Sequence, residues 1–326
     1  MAGLACARAL RAGGRKVLVL ERAREIGGRC ATAWPEHPAD FGVAFFHGHS
    51  EAYLAALAAA DATRLDWPSQ VKGSGRPCRP EAFAPRERRV AFAEGAIAFP
   101  RYLARGLDVH LRCPVVALQD ARGALSLTLE GGAIVESQTV VLALAPEEAL
   151  ALLAALHEPS TAVRSARAVL GMSRSEACLA LIAVYGHRVA APPWHVCYPE
   201  DSRVLQLASN ESSKRPGRGE LVMLYQAHPG WSSTHLSNER WPEELLAEAV
   251  RCCGLSAAHP VKVEPHPWHF ARSDRAAELA GPMLLRLPGG ASLGLAGDRF
   301  APGGGVEAAY LSGERLAARI LAGGLK

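Results

Sequence analysis

The sequence predicts an α/β fold, in which helices and strands alternate at both ends of the chain and strands dominate the middle. Three observations support this prediction. Residues 2–12 are strong helix formers and end at two glycines. Residues 16–20 form a short, continuously apolar strand, as expected in a parallel sheet that is covered on both faces. Residues 293–296 form a second apolar strand, and a glycine-rich turn and a last helix to about residue 322 follow it.

The other predicted elements lie between these ends. Alanine-rich residues 51–60 form a helix, and the Pro-, Gly- and Arg-rich residues 68–89 form a long surface loop. Helices are predicted near 146–156 and 240–253. Strands are predicted at 107–118, 124–130, 133–144, 177–185, 203–209, 220–228 and 261–271. Gly131-Gly132 is the expected hairpin turn between the second and third of these strands.

The order of the elements predicts two domains, which is also what a chain of 326 residues favours. Because the helix–strand alternation lies at both ends, we expect a discontinuous nucleotide-binding domain of residues 1–50, 92–150 and 286–326. It encloses a substrate domain of residues 51–91 and 151–285.

Composition excludes several functional classes. Apolar residues make up 49% and charged residues 21%, which is ordinary for a globular protein. The net charge of +4 comes from scattered arginines, so we expect no nucleic-acid partner. The eight cysteines contain no CxxC pair and are expected to be thiols in a reducing cytosol. No apolar run approaches the ~20 residues of a membrane helix, so we expect a soluble, cytoplasmic protein without a membrane partner.

The N-terminal residues match part of a dinucleotide-binding motif. Such a motif needs a glycine-rich turn after its first strand, a helix whose amides meet the pyrophosphate, and an acid that ends the second strand and binds the ribose. Gly3 opens the first helix, and Glu21 follows the strand eighteen residues later, close to the usual spacing. The first strand and the first two glycines are missing. We therefore expect a Rossmann-type domain whose first strand is encoded upstream of Met1, as a mis-assigned start would explain.

The residues after Glu21 indicate which dinucleotide the domain binds. Glu21-Arg22 continues to Gly27-Gly28-Arg29, which resembles the flavoprotein pattern of a ribose-binding acid followed by a Gly-Gly-Arg turn. The glycines let the backbone approach the cofactor, and a guanidinium pairs with pyrophosphate through two hydrogen bonds. This stretch predicts FAD rather than NAD alone as the bound dinucleotide.

A third element lies near the C-terminus. Gly297-Asp298 follows an apolar strand and precedes Gly303-Gly304-Gly305-Val306, which opens the last helix. The pattern is similar to the second FAD signature of amine-oxidase-type flavoproteins. In that family an acid at a strand end holds the ribitol chain, and a helix N-terminus points at the flavin, where it stabilises negative charge.

Three segments in the middle of the chain resemble one branch of that superfamily, the bacterial renalase-like flavoproteins. The segments are Asn210 to Arg218, Gln226 to Ser232 and His266 to Ala271. The first carries an extra residue, Arg215, within the branch's Ser-Ser-Lys-Pro-Gly-Arg stretch, and the histidine of the second is displaced. The resemblance covers essentially the whole chain.

The resemblance implies a fold, an activity and a set of roles. It implies a Rossmann-type FAD-binding domain with an α+β substrate domain on a mostly antiparallel sheet. It also implies an NAD(P)-related, FAD-dependent oxidoreductase that passes a hydride from a small substrate to flavin N5 and then electrons to oxygen. Glu21 would hold the adenosine ribose, Arg29 the pyrophosphate or flavin edge, and Asp298 the ribitol. The expected cofactor-binding residues are Gly3, Glu21, Arg22, Gly27, Gly28, Arg29, Asp298, Gly304, Gly305 and Val306.

Aromatic residues in the middle of the chain are candidates for a substrate pocket. Trp194, His195, Trp268 and His269 could stack on a planar substrate, either a dihydronicotinamide dinucleotide or an amine. Hydride transfer demands positioning rather than one particular base, so no catalytic residue is singled out. His47 and His49 share one face of a strand, but no third ligand is evident, and we expect no metal site.

Two other functions remain open at this stage. One is a degenerate flavoprotein fold that no longer holds its cofactor, which the incomplete N-terminal motif would explain. The other is a desaturase-like enzyme on the same fold. The modest hydrophobicity of the chain disfavours the desaturase, which would need a larger apolar tunnel.

Overall fold

The computed structural model describes residues 1–33, 36–75, 81–154, 156, 160–187, 189–217, 219–255, 259–274 and 278–323. The chain divides into two compact units. The first unit comprises Met1–Gly28, Pro100–Ser175 and Arg272–Lys326, and the second comprises Arg29–Phe99 and Glu176–Ala271. The predicted division into a cofactor domain and a substrate domain stays a prediction, because a compact unit is defined by packing and not by what it binds.

The first unit alternates helices and strands. Its helices are α1 (Ala2–Ala12), most of α3 (Ala98–Ala104), α4 (Pro146–Ala154), α5 (Thr161–Gly171) and α8 (Gly305–Leu321). Its strands are β1 (Leu18–Leu20), β6 (Asp108–His110), β7 (Val115–Ala121), β8 (Ala124–Leu129), β9 (Ile134–Ser137), β10 (Thr139–Leu142), β16 (Met283–Arg286) and β17 (Ser292–Leu295). These strands form a parallel pair β1–β6, a three-stranded sheet β10–β17–β16 and an antiparallel meander β7–β8–β9.

Small residues let the helices of the first unit pack closely. A Cβ atom on Gly313 of α8 would lie 2.3 Å from the carbonyl oxygen of Ala2 on α1, so only glycine permits this contact. A Cβ atom on Gly3 would lie 3.1 Å from the Cβ of Ala143, just beyond β10. Gly3 thus has the close helix–strand contact that the third glycine of a dinucleotide motif provides.

The second unit is built on a six-stranded sheet. Its strand order is β15–β11–β14–β13–β12–β4, and a smaller sheet has the order β2–β5–β3. The strands are β2 (Phe46–Gly48), β3 (Arg64–Leu65), β4 (Val71–Lys72), β5 (Arg88–Phe92), β11 (Ser175–Tyr185), β12 (Val196–Cys197), β13 (Leu205–Asn210), β14 (Leu221–Ala227) and β15 (Pro260–Ser273). The helices are α2 (Glu51–Ala58), α6 (Pro229–His235) and α7 (Trp241–Cys253).

Both faces of this large sheet are covered. Alternate residues of β11 point into two separate apolar clusters, since side chains alternate across a strand. Leu181 and Tyr185 pack with Leu245 of α7, whereas Ile182 and Val184 pack into the opposite cluster, which also contains Phe45 and Trp67. The continuous burial of β11 therefore reflects a central strand and not a helix.

Most predicted elements are confirmed, and the errors have physical causes. The runs 107–118 and 133–144 are each two strands, not one. The second run splits at residue 138, because β9 pairs with β8 while β10 pairs in parallel with β17. The loop predicted at 68–89 is wrong at its ends: Val71–Lys72 pairs with β12, and β5 begins at Arg88. The start of β5 was not predicted because its first two residues, Arg88 and Arg89, are charged. Residues 76–80 of the predicted loop lie outside the described part of the chain.

The structure also contains helices that the sequence patterns did not predict. These are α3, α5 and α6. Among the described residues, no helix is both long and apolar enough to cross a membrane.

Candidate functional site

Glu21 lies directly after the carboxyl end of the parallel strand β1. Its backbone continues the pairing with β6, since Glu21 N donates to His110 O at 2.9 Å and Cys113 N donates to Glu21 O at 2.9 Å. Its side-chain Oε1 accepts a hydrogen bond from Ala23 N at 2.9 Å, which fixes the carboxylate at the strand end. Carboxyl ends of parallel strands are where dinucleotides bind in α/β sheets, so the position suits a ribose-binding acid.

The glycine turn after Glu21 requires glycine. Gly27 has φ 112° and Gly28 has φ 52°, which side chains rarely adopt. A Cβ atom on Gly28 would have nothing within 4 Å, so the backbone faces open space that another molecule can occupy. Arg22, a predicted cofactor contact, forms an ion pair with Glu148 and is 67% exposed.

Asp298 is buried at the end of β17, with 7% of its surface exposed. Its Oδ1 accepts a hydrogen bond from Ser273 Oγ at 2.9 Å, and its Oδ2 accepts one from Ser273 N at 3.3 Å. Ser312 of α8 fixes the preceding residue, because its Oγ accepts from Gly297 N at 3.0 Å and donates to Gly297 O at 2.9 Å. This arrangement ties the Asp298 turn to the helix that follows it.

Three glycines shape the start of α8. Gly303, Gly304 and Gly305 all have positive φ values, of 92°, 61° and 67°. Gly304 is the N-cap, and no side chain caps the helix there. The amides of the first turn, including that of Val306, therefore have no intrahelical acceptor and no capping side chain. Such a helix N-terminus favours a negative group.

These residues of the first unit fit FAD. The glycine backbones at Gly28 and Gly303 face space in which a Cβ atom would meet nothing within 4 Å. Glu21 offers carboxylate oxygens for ribose hydroxyls, and the uncapped α8 amides are donors of the kind that a flavin pyrimidine edge needs. A buried carboxylate, Asp298, lies between the end of β17 and the start of α8.

Arg29 belongs to the second unit and is held in a close backbone contact. Its carbonyl oxygen accepts from Val43 N at 2.9 Å, and its guanidinium Nη1 donates to Ala271 O at 2.9 Å. A Cβ atom on Gly42 would lie 2.2 Å from that same Arg29 carbonyl oxygen, so the contact requires glycine at 42.

Trp268, one of the predicted pocket residues, belongs to an aromatic stack. The Phe41 ring stacks on two partners: its centroid is 5.2 Å from that of Trp268 and 4.2 Å from that of His266. Trp268 Nε1 also donates to Phe41 O at 3.1 Å. His269 is exposed, and because side chains alternate along β15, it lies on the face opposite Trp268.

His195 stacks on Trp67, with ring centroids 5.7 Å apart and an interplanar angle of 13°. Burial lowers the pKa of His195, which favours the neutral imidazole. Its Nδ1 accepts from Ser69 N at 3.2 Å, so the remaining proton is on Nε2. Trp194 is only 7% exposed and packs in the apolar cluster between the sheet and α7. The structure therefore places the four predicted pocket residues in four different surroundings.

A buried cluster of four charged side chains was missed by sequence reasoning. Lys214 Nζ donates to Asp40 Oδ2 at 2.8 Å and to the Glu211 oxygens at 2.8 and 2.9 Å. Arg215 contacts both carboxylates, at 3.4 and 3.3 Å. Burial raises the pKa of Asp40, but the charges of Lys214 and Arg215 outweigh it and hold the pKa below its usual value. One sequence feature pointed to this cluster: Lys214 is the lysine of the Ser-Ser-Lys stretch in the renalase-like pattern.

His47 and His49 share a carboxylate. Glu87 Oε2 lies 3.0 Å from His47 Nδ1, and its Oε1 lies 2.8 Å from His49 Nδ1. Burial raises the pKa of Glu87, but hydrogen bonds from both histidines outweigh it, so the pKa is lowered. Each imidazole contacts a different carboxylate oxygen, which accounts for the pair without a metal ion. The expectation of no metal site stays a prediction.

Comparisons with known proteins cover nearly the whole chain. The family model of flavin-containing amine oxidoreductases matches residues 74–321, and that of NAD(P)-binding Rossmann-like domains matches residues 1–60. A structure of putrescine oxidase bound to putrescine is 16% identical, with a TM-score of 0.70 over 98% of this chain and 97% of that chain. Cyclohexylamine oxidase from Brevibacterium oxydans IH-35A is 14% identical, with a TM-score of 0.74 over 99% and 97%. The predicted fold class, α/β with a Rossmann-like domain, is confirmed.

Proposed function

Because the chain belongs to the flavin-containing amine oxidoreductase family and is therefore an FAD-dependent oxidoreductase, we propose that it removes a hydride from a small organic substrate. The substrate class is a dihydronicotinamide or an amine. One observation carries the proposal: buried Asp298 lies in the connection that leads to the N-terminus of α8, which starts at glycines and has no side-chain cap.

In this proposal, residues of the first unit bind different parts of FAD. Glu21 accepts hydrogen bonds from the adenosine ribose, and Asp298 accepts one from the ribitol chain. Gly27 and Gly28 let the backbone approach the dinucleotide, and the amides of Gly305 and Val306 stabilise negative charge at the flavin pyrimidine. Bound FAD supplies the two-electron acceptor, flavin N5. Arg29, in the second unit, is proposed to pair with the pyrophosphate.

The aromatic pairs of the second unit favour a planar substrate. The Phe41–Trp268 stack and the His195 ring, which stacks on buried Trp67, offer flat surfaces, and stacking on such rings stabilises planar groups. The neutral His195 leaves its Nε2–H to donate a hydrogen bond to a substrate carbonyl, such as a carboxamide oxygen. Exposed His269 and core-buried Trp194 are weaker candidates for substrate contact.

The proposed reaction needs oxygen as its only co-substrate. A dihydronicotinamide loses a hydride and becomes the aromatic nicotinamide cation. Oxygen takes the two electrons and, with two protons in all, becomes hydrogen peroxide. An amine would lose the same hydride and a proton to give an imine. The two similar structures named above are an oxidase of putrescine and an oxidase of cyclohexylamine, which supports the amine arm.

Anaerobic reduction of the FAD-loaded protein tests this proposal. A panel of dihydronicotinamides and primary amines is mixed with the protein, and loss of the flavin absorbance near 450 nm, a general property of oxidised flavins, is followed. We expect bleaching by one class and formation of hydrogen peroxide when oxygen is admitted. If flavin is bound but no member of either class bleaches it, the proposed substrate is wrong.

A further inference from the structure

Lys214 is a fully buried ammonium group whose hydrogen bonds are all used. Its side chain is 0% exposed, and its three protons have three acceptor groups: Asp40, Glu211 and the carbonyl oxygen of Ala44, the last at 2.6 Å. An ammonium group has three N–H donors, and each donor of Lys214 has an acceptor group within the protein. Lys214 therefore binds protein groups and has no donor left for a ligand.

The Lys214 ammonium fixes the chain segment that carries Phe41. Asp40 and Ala44 both bond to Lys214 Nζ, so the residues between them are held at both ends. Asp40 is held in turn by Thr32 Oγ1 at 2.7 Å and Ala96 N at 2.8 Å. Within the segment, Gly42 O accepts from Gln226 Nε2 at 2.7 Å. The Phe41 ring, and with it the stack on Trp268, has little freedom to move.

The same ammonium also fixes the second aromatic pair. Lys214 Nζ lies 4.4 Å from the centroid of the Trp67 ring, within the range of a cation–π interaction. The neighbouring Ser213 Oγ accepts from Trp67 Nε1 at 2.8 Å. Trp67 thus has the buried cation against its ring and stacks with the neutral His195.

We propose that Lys214 is the positioning residue for substrate binding: one buried cation holds both the Phe41–Trp268 and the Trp67–His195 pairs without touching the substrate. The proposal rests on the proposed function, in which Phe41, Trp268 and His195 contact the substrate and buried Trp67 supports His195. The carboxylates of Asp40 and Glu211, together with Arg215, keep the cluster neutral, with two positive and two negative charges, so that the cation can be buried.

The test uses a variant that removes the cation but keeps the charge balanced. Lys214→Met alone would leave an excess buried carboxylate charge, so Glu211→Gln is added. A glutamine at 211 retains its contacts: its amide nitrogen can donate to Ser209 Oγ, now 2.6 Å from Oε1, and its oxygen can accept from Asp40 N, now 3.0 Å from Oε2. Lys262→Met, at an exposed lysine of β15, is the matched control.

The expected result separates positioning from stability. In the FAD-loaded double variant, KM for the better of two probes, NADH and benzylamine, rises at least tenfold, equivalent to about 1.4 kcal/mol. The FAD dissociation constant stays within about twofold, and the control variant retains the wild-type KM, as expected for sites that lie outside the network. A lowered melting temperature with an unchanged KM would show a purely structural role and overturn the proposal.

If the wild type oxidises neither probe, that result counts against the proposed function. A second measurement then tests whether Lys214 positions the aromatic rings. Fluorine NMR of protein labelled with 5-fluorotryptophan reports each indole, and Trp67→Phe and Trp268→Phe assign two of the lines. Both lines should move in the double variant and neither in Lys262→Met. If the Trp67 and Trp268 lines stay in place after the cation is removed, Lys214 does not position these rings.

Discussion

Replacing Glu21 by glutamine tests the ribose-binding role most cleanly, because the change keeps the shape of the side chain and removes its charge. Hydrogen bonds to a charged acceptor contribute about 1.5–3 kcal/mol, and those to a neutral one about 0.5–1.5 kcal/mol. Two ribose hydroxyls bonded to the carboxylate would therefore lose about 2 kcal/mol together, which raises the dissociation constant of FAD about 30-fold.

The structure predicts that the protein without FAD is barely affected. Glu21 has one side-chain hydrogen bond, to Ala23 N, at an exposed position. We expect the free energy of unfolding of the cofactor-free protein to change by less than about 0.5 kcal/mol. Glu25→Gln is the control, since Glu25 is also exposed and contacts only Arg101, at 3.8 Å, among the described ion pairs. Fluorescence titration of cofactor-free protein with FAD gives the constants. An affinity within twofold of the wild type would refute the ribose role.

Three further variants test other parts of the account. Gly304→Ala should lower the free energy of unfolding by about 1–3 kcal/mol and weaken FAD binding, because φ 61° and ψ −172° belong to a region that only glycine adopts readily. The control Gly123→Ala, in a hairpin where φ is 76°, should leave FAD binding unchanged. Lys214→Met should lower the free energy of unfolding by about 3–5 kcal/mol, and added Glu211→Gln should restore most of it in denaturant titrations. Glu87 has a lowered pKa in the folded state, so its contribution is complete above its ordinary pKa of 4.5 and is lost as the pH falls through the folded value. Glu87→Gln should therefore flatten the loss of stability that occurs as the pH falls below about 4.5, and an unchanged slope would contradict this.

The elements with a strong local signal were predictable from the sequence. Gly3 at the start of α1, the glycine-rich start of α8 and the apolar strands β1 and β17 follow from short windows of residues. Gly27, Gly28 and Gly304 have the positive φ angles that their motifs require. These windows also identify the cofactor class, because a dinucleotide is bound largely by backbone and by a few acids at strand ends.

The features that depend on tertiary contacts were not predictable. Nothing local separates β9 from β10, since the break at residue 138 arises because the two strands join different sheets. The Asp40–Lys214 contact joins residues 174 positions apart, and a lysine in a polar stretch is normally exposed. Its burial depends on Asp40 and Glu211 reaching the same point from distant segments.

The predicted pocket residues show the same limit. Trp268 and His269 are neighbours in sequence and lie on opposite faces of β15. Phe41 and Trp67, which the sequence patterns did not select, provide the ring partners of Trp268 and His195. Residue type suggested an aromatic surface, whereas strand alternation and long-range packing decide which rings form it.

Titration of cofactor-free protein with FAD and, separately, with FMN tests the central claim most directly. The account predicts one FAD per chain and a clear preference for FAD over FMN, because Glu21 is proposed to bind the adenosine ribose, which FMN lacks. Asp298 and the α8 amides are proposed to bind groups common to both. The preference should fall in Glu21→Gln, with FMN binding unchanged. Failure to bind FAD, or equal affinity for FAD and FMN, would contradict it.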